Sequence, residues 1–222
     1  MLKADLHVHS EYSPDSESSL ADIIDHCNAR GINCIAITDH NETAGAVELK
    51  KIAPFTVIIG EEIQTSSGEI IGLFLTERIP PQLSAEVTVK RIKDQGGLVL
   101  IPHPFDRYFR PSAITREALE AIISDIDIIE VFNAHTVIRS DSGKALKFAQ
   151  KHSLLASAGS DAHLVSEIGN AYIEITEYSS VEQFKKSLAR GTLKGQMASP
   201  FHRLKSIVGK IVRKTRKWIC TK

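Results

Sequence analysis

Leu2-Lys3-Ala4-Asp5-Leu6-His7-Val8-His9 decides how the rest of the chain is read. Apolar residues carry it to a polar end, so it reads as a strand that finishes in histidines. Side chains alternate along a strand with a period of two, which puts His7 and His9 on one face. Two imidazoles on one face can chelate a single ion. Working outward, the same pattern recurs. Strands expected at residues 32–38, 55–59, 98–101, 126–132 and 154–158 end in or beside Asp39-His40, Glu61-Glu62, His103, Glu130 to Asn133, and Asp161 with His163. A further strand is expected at 70–75 and another at 172–175. Helical spacing falls between them, at 20–30, 43–52, 84–95, 115–123, 140–151 and 181–189. Ser18 and Ser19 are cap candidates for the first helix, and Gly31 stops it. Alternating strands and helices with continuous apolar strands indicate an α/β architecture with parallel strands buried on both faces. In such folds the C-terminal strand ends converge on the ligand site, and here acids and histidines gather at those ends.

The composition excludes several classes. Of 222 residues, 42% are hydrophobic and 24% charged, an ordinary globular balance. The three cysteines, Cys27, Cys34 and Cys220, form no C-x-x-C pair, which argues against a disulfide framework or a cysteine zinc site and points to a reducing cytoplasm. No apolar run approaches the ~20 residues of a membrane span, and the first residues do not read as a secretion signal. The formal net charge of zero is a sum of two unlike parts. Arg203, Lys205, Lys210, Arg213, Lys214, Arg216, Lys217 and Lys222 stand in a C-terminal stretch without acids, leaving 19 basic against 27 acidic residues in 1–202. Within that stretch Leu204, Ile207, Val208, Ile211, Val212, Trp218 and Ile219 fall on one helical stripe. The expectation is a domain over residues 1–198 and a basic amphipathic helix or tail over 199–222. A helix packed on the body, an anionic membrane surface and a polynucleotide are its candidate partners, in that order.

The clustered donors are neutral imidazoles and carboxylates, the mixture that suits Zn²⁺, Mn²⁺ or Fe²⁺. There are more of them than one ion can use, which indicates a multinuclear site of the kind that activates water and clamps a phosphoryl group. His26, His152 and His202 lie in helical or tail contexts and are read as ordinary histidines.

Five motifs carry a resemblance to a known family. His7-Val8-His9-Ser10, Thr38-Asp39-His40, Gly60-Glu61-Glu62-Ile63, Pro102-His103-Pro104 and Gly159-Ser160-Asp161-Ala162-His163 resemble, in order, the motifs of the polymerase and histidinol phosphatase (PHP) family. The resemblance extends from residue 7 to about residue 190. It implies a distorted TIM-like (β/α)7 barrel with two or three divalent ions (Mn, Zn, Fe or Mg) at the C-terminal strand ends, and hydrolysis of phosphate esters through a metal-bridging hydroxide. By the same resemblance His7, His9, Glu62 and Asp161 hold the first ion, and Glu62 bridges to a second that His103 also binds. His40 and His163 hold the third, with Asp15. Glu69 stands where many relatives place a histidine, and a carboxylate there favours Mn²⁺ or Mg²⁺. Glu61 is read as a neighbour rather than a ligand.

Catalytic candidates are Glu62, Asp161, His163, Arg107 and Asn133. Arg107, ahead of Arg110, is the candidate to fork onto a substrate phosphate. Glu130 is expected to orient a ligand, and His135 to line the pocket. The leading function is a phosphoesterase acting on a small phosphorylated metabolite, a nucleotide or a short oligonucleotide, with nucleic acid only as substrate. A histidinol-phosphatase-like enzyme, a non-catalytic metal-binding module and a carbon–nitrogen amidohydrolase are the alternatives. The site of action is expected to be cytoplasmic, with a peripheral membrane contact through the tail.

Overall fold

The computed structural model describes residues 1–106 and 108–196. Arg107 and the basic stretch 199–222 lie outside them, as does the boundary expected at 198. Strand β1 (Leu2–Val8) is followed by α1 (Leu20–Arg30), β2 (Cys34–Ile37), α2 (Ala44–Ile52), β3 (Thr56–Thr65), β4 (Gly68–Leu73), α3 (Ala85–Asp94) and β5 (Leu98–Ile101). Then come α4 (Arg116–Ala121), β6 (Ile128–Asn133), α5 (Arg139–Lys151), β7 (Leu155–Gly159), β8 (Ala171–Ile175), α6 (Val181–Leu188) and β9 (Thr192–Gly195). One sheet carries them in the order β7-β6-β5-β4-β3-β2-β1-β8-β9. It closes on itself where the chain after β7 reaches β1: Asp161 N–H donates to the His7 carbonyl at 2.7 Å and His9 N–H to the Ala162 carbonyl at 2.9 Å. The result is the expected distorted barrel, in which β8 pairs with the first half of β1 and β9 with β8.

The wholly parallel sheet expected from the sequence is corrected at four junctions. The pairs β3–β4, β4–β5, β1–β8 and β8–β9 are antiparallel. The first two arise because β3 runs on past residue 59 to Thr65 and turns tightly at Ser66-Ser67, too short a link for a helical crossover. Gly68 follows that turn at φ 118°, and a Cβ there would lie 2.4 Å from Ile114 Cα, so only glycine fits. An antiparallel β4 brings its N-terminal end, and with it Glu69, to the same rim as the C-terminal ends of the parallel strands.

Strand periodicity explains which side chains enter the barrel. Ile58, Ile71, Leu73, Leu98, Leu100 and Ile128 share an interior cluster with Leu2, Ala4 and Leu6, plugged by Phe184 and Leu188 of α6. Counting on by two from these residues places Glu62, Glu69 and Glu130 inward as well. On β1 the rule breaks. Val8 packs outward among Ile35, Ile37 and the α1–α2 face, not inward after Leu6. The register against β2 slips between Asp5 and Val8, a bulge of the kind that re-aims side chains beside sites. It turns His7 and His9 into the barrel.

Asp5, on the outer side of that bulge, ties three segments together. Its Oδ1 accepts from Ser160 N–H at 2.9 Å and His7 N–H at 3.4 Å, and its Oδ2 from Gly169 N–H at 2.8 Å. Asp5→Ala leaves these buried donors without acceptors, and a loss of about 3 kcal/mol in unfolding free energy is expected by denaturant titration.

Glu61 points the other way from Glu62 and is buried, with Oε2 accepting from Ile79 N–H at 2.8 Å. Burial pushes its carboxyl up to about 7. The folded state therefore holds a proton that the unfolded state has released between pH ~4.5 and ~7, and stability contributed at this position falls as pH rises through that window. Glu61→Gln is expected to raise the melting temperature at pH 8, by the equivalent of about 2 kcal/mol, and to leave it nearly unchanged at pH 4.5.

Candidate metal centre

At the closed rim of the barrel the sequence-predicted donors meet around Glu62. His7 Nε2 and His9 Nε2 lie 3.2 Å apart, each 3.4 Å from Glu62 Oε2, and 3.6 and 3.5 Å from Asp161 Oδ1. The other Glu62 oxygen, Oε1, is 3.3 Å from His103 Nε2, which in turn is 3.8 Å from Glu69 Oε2. On the remaining side His40 presents Nδ1 to Glu62 Oε2 at 3.2 Å and Nε2 to Asp15 Oδ2 at 3.4 Å, while His163 Nε2 meets Asp15 Oδ2 at 2.9 Å. Four donor groups follow, each with ligand atoms within 4.8 Å of one another: His7-His9-Asp161, His7-Glu62-His103, His40-Glu62-Glu69 and His9-Asp15-His40-His163. The structure thus brings together all nine residues expected around the ions.

Local backbone geometry aims these groups. His103 and Asp161 both adopt positive φ, 31° and 54°. A non-glycine residue held there costs about 1–3 kcal/mol and persists only where its surroundings impose it. Gly159 lets β7 press against β1: a Cβ on it would fall 2.4 Å from His7 Cβ. Behind the donors, Glu130 Oε1 lies 3.1 Å from His7 Nδ1, and its Oε2 accepts from His103 N–H and Asn133 Nδ2, both at 2.9 Å. This fixes the His7 ring with Nε2 toward the centre. Asn133 Nδ2 also donates to Asp161 Oδ2 at 3.3 Å.

Arg110, ranked behind Arg107 in the sequence reading, is in the site. Its Nη1 donates to Asp161 Oδ2 at 2.5 Å, its Nε is 3.3 Å from Asp106 Oδ2, and Nη2 donates to Asn133 Oδ1 at 3.5 Å. Asp106 stands four residues before Arg110, an ion-pair spacing visible in the sequence that the reading passed over. His135 lines the same cavity with Nε2 3.2 Å from Glu167 Oε1, and Glu167 Oε2 accepts from the His163 and Leu164 N–H groups at 3.1 Å. Nothing in the local sequence around Glu167 signals that role.

The charges are matched group by group. Burial opposes ionisation of Asp161 and Glu62, yet Arg110 and His7 hold the first well below the usual carboxylate range, and His7 and His40 do the same for the second. His40 is pushed up to about 9 against the cost of burial, by Glu62 and Asp15. His9 is lowered to about 3 by burial and by the neighbouring His163 and His40. A buried imidazole kept neutral is in the state a metal ligand requires. A cavity of about 310 Å³ opens over this floor, walled by Phe109, Pro111 and Val137 as well as by the polar groups.

The PHP domain model matches residues 5–198. The uncharacterized protein MJ0417 of Methanocaldococcus jannaschii is 40% identical over 178 residues, 79% of this chain and 71% of its own length. Among solved structures, a two-domain protein from Bacteroides vulgatus containing a predicted PHP-like metal-dependent phosphoesterase superposes with a TM-score of 0.70 at 20% identity, over 94% of this chain and 69% of that one. A lesion-specific endonuclease from Pyrococcus furiosus superposes with a TM-score of 0.67 at 18% identity, over 86% of this chain and 57% of that one.

Proposed function

The chain belongs to the PHP domain family, and on that premise we propose that it is a metal-dependent phosphoesterase that hydrolyses a phosphate ester of a small metabolite, a nucleotide or a short oligonucleotide. The observation that carries the reading is buried Glu62, shared by two of four adjoining donor groups that together use nine side chains. Carboxylates and imidazoles in that number, seven of the nine buried and with a neutral His9 among them, fit two or three divalent ions. His7, His9, Glu62 and Asp161 would hold one; Glu62, His103 and Glu69 a second; and Asp15, His40 and His163 a third. The two carboxylates around the second position favour Mn²⁺ or Mg²⁺ there. Ions so held lower the pKa of water and neutralise phosphoryl oxygens.

The protein's own groups then do the positioning. Glu130 keeps His7 and the His103 backbone in place, and Asn133 joins Glu130 to Asp161. Arg110 grips the outer oxygen of Asp161 and leaves Oδ1 facing the histidines. It also borders the cavity, where its guanidinium offers donors to a non-bridging phosphate oxygen. Residues 1–198 constitute the catalytic unit in this reading, and 199–222 a separate basic segment suited to an anionic surface. A panel of phosphorylated metabolites and nucleotides assayed with Mn²⁺, Zn²⁺ and Mg²⁺, beside metal analysis of the purified protein, tests the proposal. Full activity in chelated protein would overturn it. A fold likeness to an endonuclease supports including oligonucleotides in the panel.

A further inference from the structure

Nine large apolar side chains stand exposed among the described residues, and four of them, Tyr108, Phe109, Val137 and Ile138, lie on the loops after β5 and β6 at the site's end of the barrel. Phe109 and Val137 form part of the cavity wall. Tyr108 is 86% exposed, and its ring meets that of Phe109 edge to face, with centroids 4.9 Å apart and planes at 77°. Such an arrangement leaves aromatic surface uncovered at the lip. Exposed apolar groups gathered beside a cavity mark a binding surface.

The cavity has two chemistries. Its floor, with Arg110 and the candidate ions, takes an anion. Its lip is aromatic. At about 310 Å³ the space is at the small end of ligand cavities, so a phosphate bound at the floor leaves the group it carries against Phe109 in the wall. A ligand that is anionic at one end, planar and aromatic at the other, with a short spacer between, matches both.

We propose that Phe109 in the cavity wall, with Tyr108 against it, forms a stacking platform for a nucleobase, so that the ester hydrolysed is that of a nucleotide or of a terminal nucleotide in a short single strand. The inference rests on the phosphoesterase reading and narrows its substrate class. Stacking of a base on an aromatic side chain is tolerant of base identity, so the platform recognises nucleotides as a class.

Adenosine monophosphate and ribose 5-phosphate separate the base from the rest of the substrate. In the full chain loaded with Mn²⁺, KM for adenosine monophosphate is expected to be about tenfold below that for ribose 5-phosphate. Phe109→Ala is expected to raise the first KM about tenfold more than the second, with Tyr108→Ala acting in the same direction and Phe109→Trp retaining the preference. Equal KM values in the unaltered protein, or equal losses on both substrates, would overturn the platform. Equilibrium dialysis of adenosine monophosphate against the same proteins keeps the two proposals apart. Base-dependent binding without hydrolysis of any ester supports the platform and removes the phosphoesterase. Light scattering covers the remaining occupant: a dimer that Phe109→Ala converts to monomer with adenosine monophosphate affinity unchanged makes the lip a self-contact and overturns the proposal.

Discussion

Glu62→Gln is expected to lower kcat by about a thousandfold, on the scale of losing a preorganised electrostatic group in an enclosed site. The geometry gives the reason. Among the described residues, Glu62 is the one carboxylate in reach of all of His7, His9, His40 and His103, with distances of 3.2–3.4 Å. The amide keeps the shape but removes the negative charge that would let two cations share this residue. Metal content should fall with activity, by at least one ion per chain in mass spectrometry under native conditions. A variant that retains both its activity and its metal would remove Glu62 from the centre of the site.

Stripping divalent ions is the second large effect. Chelation followed by desalting should reduce hydrolysis to background, and added Mn²⁺ should restore it. The protein should also melt lower. At a thousandfold excess of free ion over its dissociation constant, binding stabilises by about 4 kcal/mol, roughly 10 °C for a chain of this size. The effect has a pH sign. Against the cost of burial, Asp161, Glu62 and Glu130 hold His7 well above its ordinary pKa in the ion-free arrangement, and a coordinating imidazole must give that proton up. Loading therefore releases protons, and apparent metal affinity rises with pH. Calorimetric titration in buffers of differing ionisation enthalpy measures this directly; affinity independent of pH would contradict the assignment of His7.

The donors were legible in the sequence because each sits where a short apolar strand gives way to polar residues. That local pattern needs no tertiary information. It located His7, His40, Glu62, His103 and Asp161 as a set, and nothing but the fold was required to bring them together. The local sequence does not show where Arg110 lies, because its placement depends on Asp106 and Asp161, one on its own loop and one 51 residues away. The direction of β4 escaped the reading because apolar alternation carries no information about strand polarity; only the short Ser66-Ser67 link did. Strand β9 was missed since Thr192–Gly195 is barely apolar and is held by its ladder to β8 instead. The inward turn of His7 and His9 depends on the bulge in β1, which leaves no composition signal.

That first strand has a temporal consequence. Its opening residues pair with β8 and its closing residues with the segment after β7, partners made some 150 residues later on the ribosome. Contacts so distant in sequence close slowly. During synthesis β1 waits with the histidines His7 and His9 uncommitted, and the site reaches its full complement only after residue 163 has emerged. Ion capture by the full donor set would thus follow closure of the barrel and not nucleate it, and a loaded site would report that synthesis has passed residue 163.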